Sequence, residues 1–260
     1  DIQGKDAAAF LNKIYANGFA KLPVGKTRYG LMLREDGIAM DDGTTARLSE
    51  HHFVMTTTTA NAVEVFRHME FCRQCLWPGL DVHLISVTEQ WAQFAVAGPN
   101  SRALLRKIVD ADFDISNEAF PFMACGEVKI CSGIPGRLFR ISFSGELAYE
   151  IAVPARYGDA LIRALMEAGR EYDVVSYGTE ALGVMRIEKG HAAGNELTGQ
   201  TTARDLGMAR MVSKKKDCIG KILAQRPGMN KDDEIKLVGF RPVNQGEKLV
   251  AGAHFLEKGA

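Results

Sequence analysis

The chain has 260 residues, 46% hydrophobic and 25% charged, and 32 Lys+Arg balance 32 Asp+Glu. This composition excludes disorder and fibre, and supplies enough apolar material for one large domain or two to three intertwined ones. Without a net basic field, whole-protein electrostatics gives no support to a nucleic-acid partner, so any ligand is recognised locally.

Asp6 is placed to cap a first helix, with Phe10, Leu11, Ile14 and Tyr15 on one face and Gly18 closing it. Thr27 to Leu33 reads as a strand, Arg34-Glu35-Asp36-Gly37 as a tight turn and Ile38 to Met40 as its return. Asp41-Asp42-Gly43 is expected to interrupt that hairpin. Strand character resumes at 44–48 and 53–58. A long helix follows over 60–76, ended by Trp77-Pro78-Gly79. Residues 81–87 and 91–97 are expected to form a strand pair, and Gly98-Pro99-Asn100 to open a helix running to about Val109. Three more strands are read at 126–131, 137–143 and 148–153, and helices at 155–168 and 178–189. Periodicity fades over 191–213, and the pattern ends with a short helix at 217–225 and a strand at 235–241. Strands and helices alternate without βαβ regularity or a fixed repeat, so the expected class is α+β with mainly antiparallel sheets.

No apolar stretch approaches the roughly 20 residues that cross a bilayer, and the N-terminus lacks a secretory signature. The five cysteines are odd in number and scattered, which suits a reducing compartment. A cytoplasmic protein with no membrane partner is therefore expected. Cys72-x-x-Cys75 lacks a second ligand pair among the six histidines, so no metal is expected and both thiols read as buried on a helix. The chain opens on Asp1 rather than Met and is expected to be a segment of something longer.

No common catalytic fingerprint is present, and Gly133-Ile134-Pro135-Gly136 reads as a hairpin rather than a phosphate loop. Two acidic features stand out. In Asp41-Asp42, one carboxylate can be held inside as an acid or base while the other faces water; the alternative is a solvated turn. Glu188 ends an apolar helix and needs a partner, either Arg186 or a ligand.

Five motifs in order resemble the glycine-cleavage T-protein (aminomethyltransferase) family. They are residues 25–33 (GKTRYGLML) with 37–42 (GIAMDD), 144–150 (SGELAYE), 182–190 (LGVMRIEKG) and 217–221 (DCIGK). Within the family, 34–37 with 40–45 and the run 91–99 look most like a branch that forms the tetrahydrofolate-binding part of a multi-subunit flavoenzyme oxidising sarcosine. The resemblance implies a multi-domain arrangement around a central cavity. Residues 1–87 with 191–233 would form a ferredoxin-like domain, 88–190 a second α+β domain, and 234–260 the start of a truncated C-terminal β-barrel. The family's opening strands and most of its final barrel have no counterpart here. The implied activity is acceptance by tetrahydrofolate of the one-carbon unit from oxidised sarcosine, giving 5,10-methylenetetrahydrofolate and glycine. The flavin would belong to a partner subunit. A stand-alone aminomethyltransferase and a non-catalytic folate-binding module are the alternatives.

Carried over residue by residue, Asp41 matches the family's catalytic aspartate and Glu188 the glutamate holding the pterin edge. Tyr29 and Phe143 match aromatic positions lining the cavity, and Thr56 stands where the family has an asparagine. A pterin's guanidine-like edge offers parallel N–H donors that one carboxylate can accept in a fork. No cation for the folate tail is placed; Lys221 and Arg226 are neighbours of the last motif in sequence.

Overall fold

The computed structural model describes residues 1–229, 235–250 and 252–254. Its elements run β1 (Ile2–Gln3), α1 (Ala7–Ile14), β2 (Lys26–Leu33), β3 (Ala39–Ser49), β4 (His52–Met55), α2 (Ala62–Phe71), β5 (His83–Leu84), β6 (Trp91–Ala97), α3 (Ser101–Leu105), β7 (Cys125–Ile130), β8 (Ile134–Phe139), β9 (Ala148–Pro154), α4 (Gly158–Gly169) and α5 (Thr179–Lys189). The class is α+β, as expected. Among the described residues the strands form one sheet in the order β2-β3-β4-β1-β5 and another in the order β6-β9-β8-β7, with every pairing antiparallel. No described helix is long and apolar enough to cross a membrane.

Both faces of the first sheet are covered. On one, Phe10, Leu11 and Ile14 of α1 and Val65 and Met69 of α2 pack against Met32 and Phe53. Each such side chain contributes roughly 1.5–3 kcal/mol on burial. On the other face, Leu31, Leu33 and Ala39 meet Ala192, Ala203 and Leu206, while Ala46 and Val54 meet Phe139 and Ile141 near the second sheet. The far face of the second sheet, with Tyr149, Ile151 and Val153, buries Leu104 and Leu105 of α3 and Leu161 and Leu165 of α4.

The β2–β3 hairpin carries one irregularity. Met32 stands opposite Asp41 but Leu33 opposite Ala39, so Met40 is an extra residue, a β-bulge. Ala39 and Asp41 are two apart, yet the bulge puts them on opposite faces: Ala39 with Leu31 and Leu33, Asp41 with Met32.

Several boundaries differ from those expected. β3 runs unbroken through Asp41-Asp42-Gly43, because β2 supplies a partner for each of these residues and the ladder outweighs their turn preference. α1 stops at Ile14 rather than near Gly18, since Tyr15 turns extended, bridges to Met32 and stacks on Phe19 with centroids 4.5 Å apart. Asp6 sits at the N-cap position, but its carboxylate accepts the Asp81 N–H instead of a helical one. β5 pairs with β1, not with β6; a 3-10 turn at Thr88–Gln90 lies between β5 and β6, which belong to different sheets. The expected helix to Val109 is α-helical only to Leu105, beyond which Lys107 and Ile108 donate to carbonyls three residues back. Over 217–225 only Leu223–Gln225 is helical, as a 3-10 turn. Residues 235–241 form no strand: Ile235 is 85% exposed, and Leu237 donates its N–H to Asp205 rather than to a neighbouring strand. Of the expected third domain, residues 234, 251 and 255–260 lie outside the described residues. Cys72 is buried but Cys75 is exposed, because the helix widens into a π turn over Cys72–Leu76 that carries Cys75 off the buried stripe.

The two sheets are tied by a buried ionic contact. Arg137 of β8 donates to both carboxylate oxygens of Asp1 at 3.1 and 3.0 Å, His52 Nε2 of β4 lies 3.0 Å from the same carboxylate, and the guanidinium sits 4.1 Å from the Trp91 ring centre.

Close packing beneath the hairpin gives a first prediction. A Cβ on Gly30 would lie 2.5 Å from the Tyr15 ring and 3.0 Å from Phe19. Gly30→Ala is expected to destabilise the fold by about 1–3 kcal/mol, read as a lowered urea midpoint with an unchanged slope.

Candidate functional site

Tyr29 and Asp42 form the centre of the site. Leu31 faces Asp42 and Tyr29 faces Thr44 across the ladder, so the side chains of Tyr29, Asp42 and Thr44 share one face and Tyr29 meets Asp42 diagonally. The Tyr29 hydroxyl donates to Asp42 Oδ2 at 2.6 Å and lies 3.8 Å from Met208 Sδ. Burial raises the Asp42 carboxyl above its ordinary range; the Tyr29 hydrogen bond opposes the rise and the charge of Glu196 adds to it. Burial and the Asp42 charge likewise push the Tyr29 phenol upward. Thr56 is exposed beside this group, its hydroxyl accepting the Thr44 N–H at 3.0 Å and lying 3.1 Å from the Thr44 hydroxyl.

Asp41 lies on the opposite, helix-covered face and is only 2% exposed. Its carboxylate accepts the Thr58 N–H and the Asn61 side-chain amide, each at 3.2 Å. Burial pushes it up to about 6 against the pull of those hydrogen bonds. Of the two aspartates, Asp42 is the one that meets Tyr29.

Glu188 stands exposed at the end of α5, without a hydrogen bond or ion pair among the described residues. Arg186, its expected partner, binds Glu196 at 2.8 Å, and Glu196 also accepts the Ala193 N–H at 2.8 Å. The roles that the resemblance implies for Asp41 and Glu188 would bring both to one folate, but here they do not converge: Asp41 points beneath the helices and Glu188 into solvent. Phe143 is 39% exposed and stacks on His191 with centroids 5.9 Å apart; His191 Nδ1 lies 3.0 Å from the Phe143 carbonyl. Glu196 links the two groups of residues, pairing with Arg186 near Phe143 and acting through its charge on Asp42.

A second carboxylate on this side was missed in the sequence. Glu150 of β9 faces Phe139, on the surface of the second sheet turned toward Ala46 of the first. Asp42 and Thr44 continue from Ala46 on that same face of β3. Burial pushes Glu150 up to about 7; its hydrogen-bond partner is Gln93, and its charge acts on Tyr177. The signal was available: Glu150 is a lone acid between Tyr149 and Ile151 in an otherwise apolar strand. Lys221 and Arg226 are committed elsewhere, Lys221 to the carbonyls of Lys214 and Lys216 and Arg226 to that of Asp36.

Two antiparallel sheets that meet at Ala46 and Phe139, each carrying an acid whose proton affinity burial raises, fit a domain of the T-protein type. The profile of the GCVT N-terminal domain matches residues 1–216, and the chain belongs to that family. It is 56% identical over its whole length to "Sarcosine oxidase subunit alpha" of Rhizobium meliloti (strain 1021), covering 26% of that protein. It is 32% identical to an aminomethyltransferase of Thermus thermophilus, over 86% of this chain and 61% of that protein. The crystal structure of glycine cleavage system aminomethyltransferase T from Bartonella henselae superposes with a TM-score of 0.73 at 26% identity, over 85% of this chain and 58% of that one. The chain thus spans about a quarter of the length of its sarcosine oxidase relative.

The buried acid makes stability depend on pH. With its folded value near 6 and an ordinary value of 3.8, Asp41 favours the folded state when protonated. That contribution is full below about pH 4 and lost as pH rises through 6, on the order of 3 kcal/mol. In Asp41→Asn the loss of melting temperature between pH 4 and 7 should be smaller than in the parent, as measured by calorimetry.

Proposed function

We propose that this chain is the tetrahydrofolate-binding part of a sarcosine oxidase alpha-type subunit, which passes the one-carbon unit of oxidised sarcosine to the folate. The observation that carries this reading is the Tyr29–Asp42 pair, in a chain 56% identical to a sarcosine oxidase alpha subunit over its full length. Identity to the aminomethyltransferase is lower and covers less of the chain, which favours the oxidase branch over a stand-alone transferase. The assembly would be an oxidoreductase acting on the CH–NH bond of sarcosine, with the flavin in a partner subunit and this part working in the cytoplasm. The same reading groups residues 1–87 with 191–233 as a ferredoxin-like unit, 88–190 as a second domain and 234–260 as the start of a third.

The donor is the imine of oxidised sarcosine, CH2=N–CH2–COO⁻, and the acceptor offers two N–H groups, N5 and N10. Two C–N bonds form to the methylene carbon, the C=N bond is replaced, and both N–H protons end on the departing glycine nitrogen. Asp42 is placed to take the N10 proton and to stand as counter-charge to the cation that precedes ring closure. The sequence resemblance puts this role on Asp41; the hydrogen bond from Tyr29, which fixes the direction of the Asp42 carboxylate, supports giving it to Asp42 instead. Phe143 and Tyr29 are aromatic walls for the ring system, and Thr56 with Thr44 supplies hydroxyls at its rim. The guanidine-like edge of the pterin needs an ionised carboxylate with free valences. Glu188 has them but stands in water, where such a pair is weak; Glu150 is half-buried with one oxygen bound by Gln93, and its lower exposure makes it the stronger candidate. Holding both reactants together lowers the barrier by up to roughly 7–11 kcal/mol.

Titration with folinic acid and turnover with the full assembly test the assignments. Asp42→Asn should lose roughly 10²- to 10⁴-fold in methylene transfer, the range of general acid–base catalysis, with folate affinity little changed. Glu150→Gln should weaken folate binding at least tenfold, a loss of about 1.4 kcal/mol, and Glu188→Gln much less; the reverse order returns the pterin contact to Glu188. Because Glu150 must ionise to accept the edge, parent affinity should rise as pH rises through about 7 and level off above it. Glu150→Gln should remove that dependence.

A further inference from the structure

Asp41 is left without a direct part in the chemistry, although it is a buried acid adjacent to the reacting one. The bulge explains why it is there. In a regular strand, alternation from Ala39 would bring residue 41 onto the Tyr29 face and send residue 42 beneath the helices. The extra residue Met40 reverses this. Ala39 donates to the Thr201 carbonyl and Met40 packs on the helix-side core, and the side-chain hydrogen bonds at the bulge involve Asp41 and Asn61. Asn61 Nδ2 donates to the Met40 carbonyl at 3.4 Å and to Asp41 Oδ1 at 3.2 Å, while Asp41 Oδ2 accepts the Thr58 N–H at the approach to α2. Removing one partner of a buried hydrogen-bonded acid leaves the other groups unsatisfied, so the register that pairs Asp41 is strongly preferred.

We propose that Asp41 is a positioning residue: by anchoring the Met40 bulge to Thr58 and Asn61 at the start of α2, it fixes the face of β3 from which Asp42 meets Tyr29. Tyr29 and Asp41 lie on opposite faces and share no hydrogen-bond partner, but charge couples them. Asp41→Asn removes the charge and keeps an oxygen for the bulge contacts. In the absence of a structural link, Tyr29→Phe should therefore cost the same in Asp41→Ala as in Asp41→Asn.

The primary test is a stability cycle that needs no ligand. Tyr29→Phe removes the hydrogen bond to Asp42 and should lower the urea midpoints of the parent and of Asp41→Asn, but leave that of Asp41→Ala unchanged. Equal loss in Asp41→Asn and Asp41→Ala overturns the proposal. If Asp41→Ala does not fold, Asn61→Ala, which frees the Met40 carbonyl and one Asp41 oxygen, carries the same cycle with the same two outcomes.

The second arm rests on Asp42 being the reacting carboxylate and uses the complete assembly. Asp41→Ala should lower kcat at least tenfold with the KM for folate within about twofold. Asp41→Asn, which keeps an oxygen for Thr58 while the Asn61 amide can turn to match it, should restore most of the turnover. A kcat for Asp41→Asn as low as that of Asp42→Asn would make Asp41 the reacting group and overturn the proposal. Full turnover in Asp42→Asn would instead overturn the functional reading, while the stability cycle would still decide the role of Asp41.

Discussion

A single register choice in the β2–β3 hairpin governs the rest of the site. The bulge at Met40 turns two adjacent carboxylates to opposite sides of one sheet, so that identical side chains one residue apart acquire different surroundings, while burial raises the proton affinity of both. Asp41 is enclosed by helix and amide donors. Asp42 is held by a phenol on the opposite face, within reach of the charge of Glu196. Neither role is intrinsic to aspartate; both follow from which way the strand alternates.

The second sheet completes the arrangement. Its apolar side is consumed by α3 and α4, which leaves the side bearing Phe139 and Glu150 to meet the first sheet. The first sheet brings Tyr29, Asp42 and Thr44 to one face, and the second holds Glu150 on the side of Phe139. The GCVT domain match and the aminomethyltransferase superposition agree on the fold these two sheets build.

The class of fold, the helices at 62–71, 158–169 and 179–189, and most strands were legible because their apolar periodicities are strong. What alternation cannot reveal is a bulge. Asp41-Asp42-Gly43 has turn-forming residues, and only the pairing with Leu31 and Met32 makes it strand; the choice between two neighbouring acids was therefore hidden in a tertiary register. Glu188 attracted attention because it follows an apolar helix, yet no residue of that helix is buried. Glu150 was overlooked although it was the more anomalous residue, a charge inside a strand whose neighbours are core. Asp6 and Lys221 illustrate the same limit: both were singled out by position, and both bind backbone groups far from or unrelated to the role expected.

The contact of Arg137 with Asp1 and His52 carries a wider implication. It joins the two sheets through buried charges at a place outside the β2–β3 hairpin. The relation between the sheets is then a property of the whole molecule, like the alignment of a vice held by a screw at its far end. A change at that screw would be felt by residues it never touches.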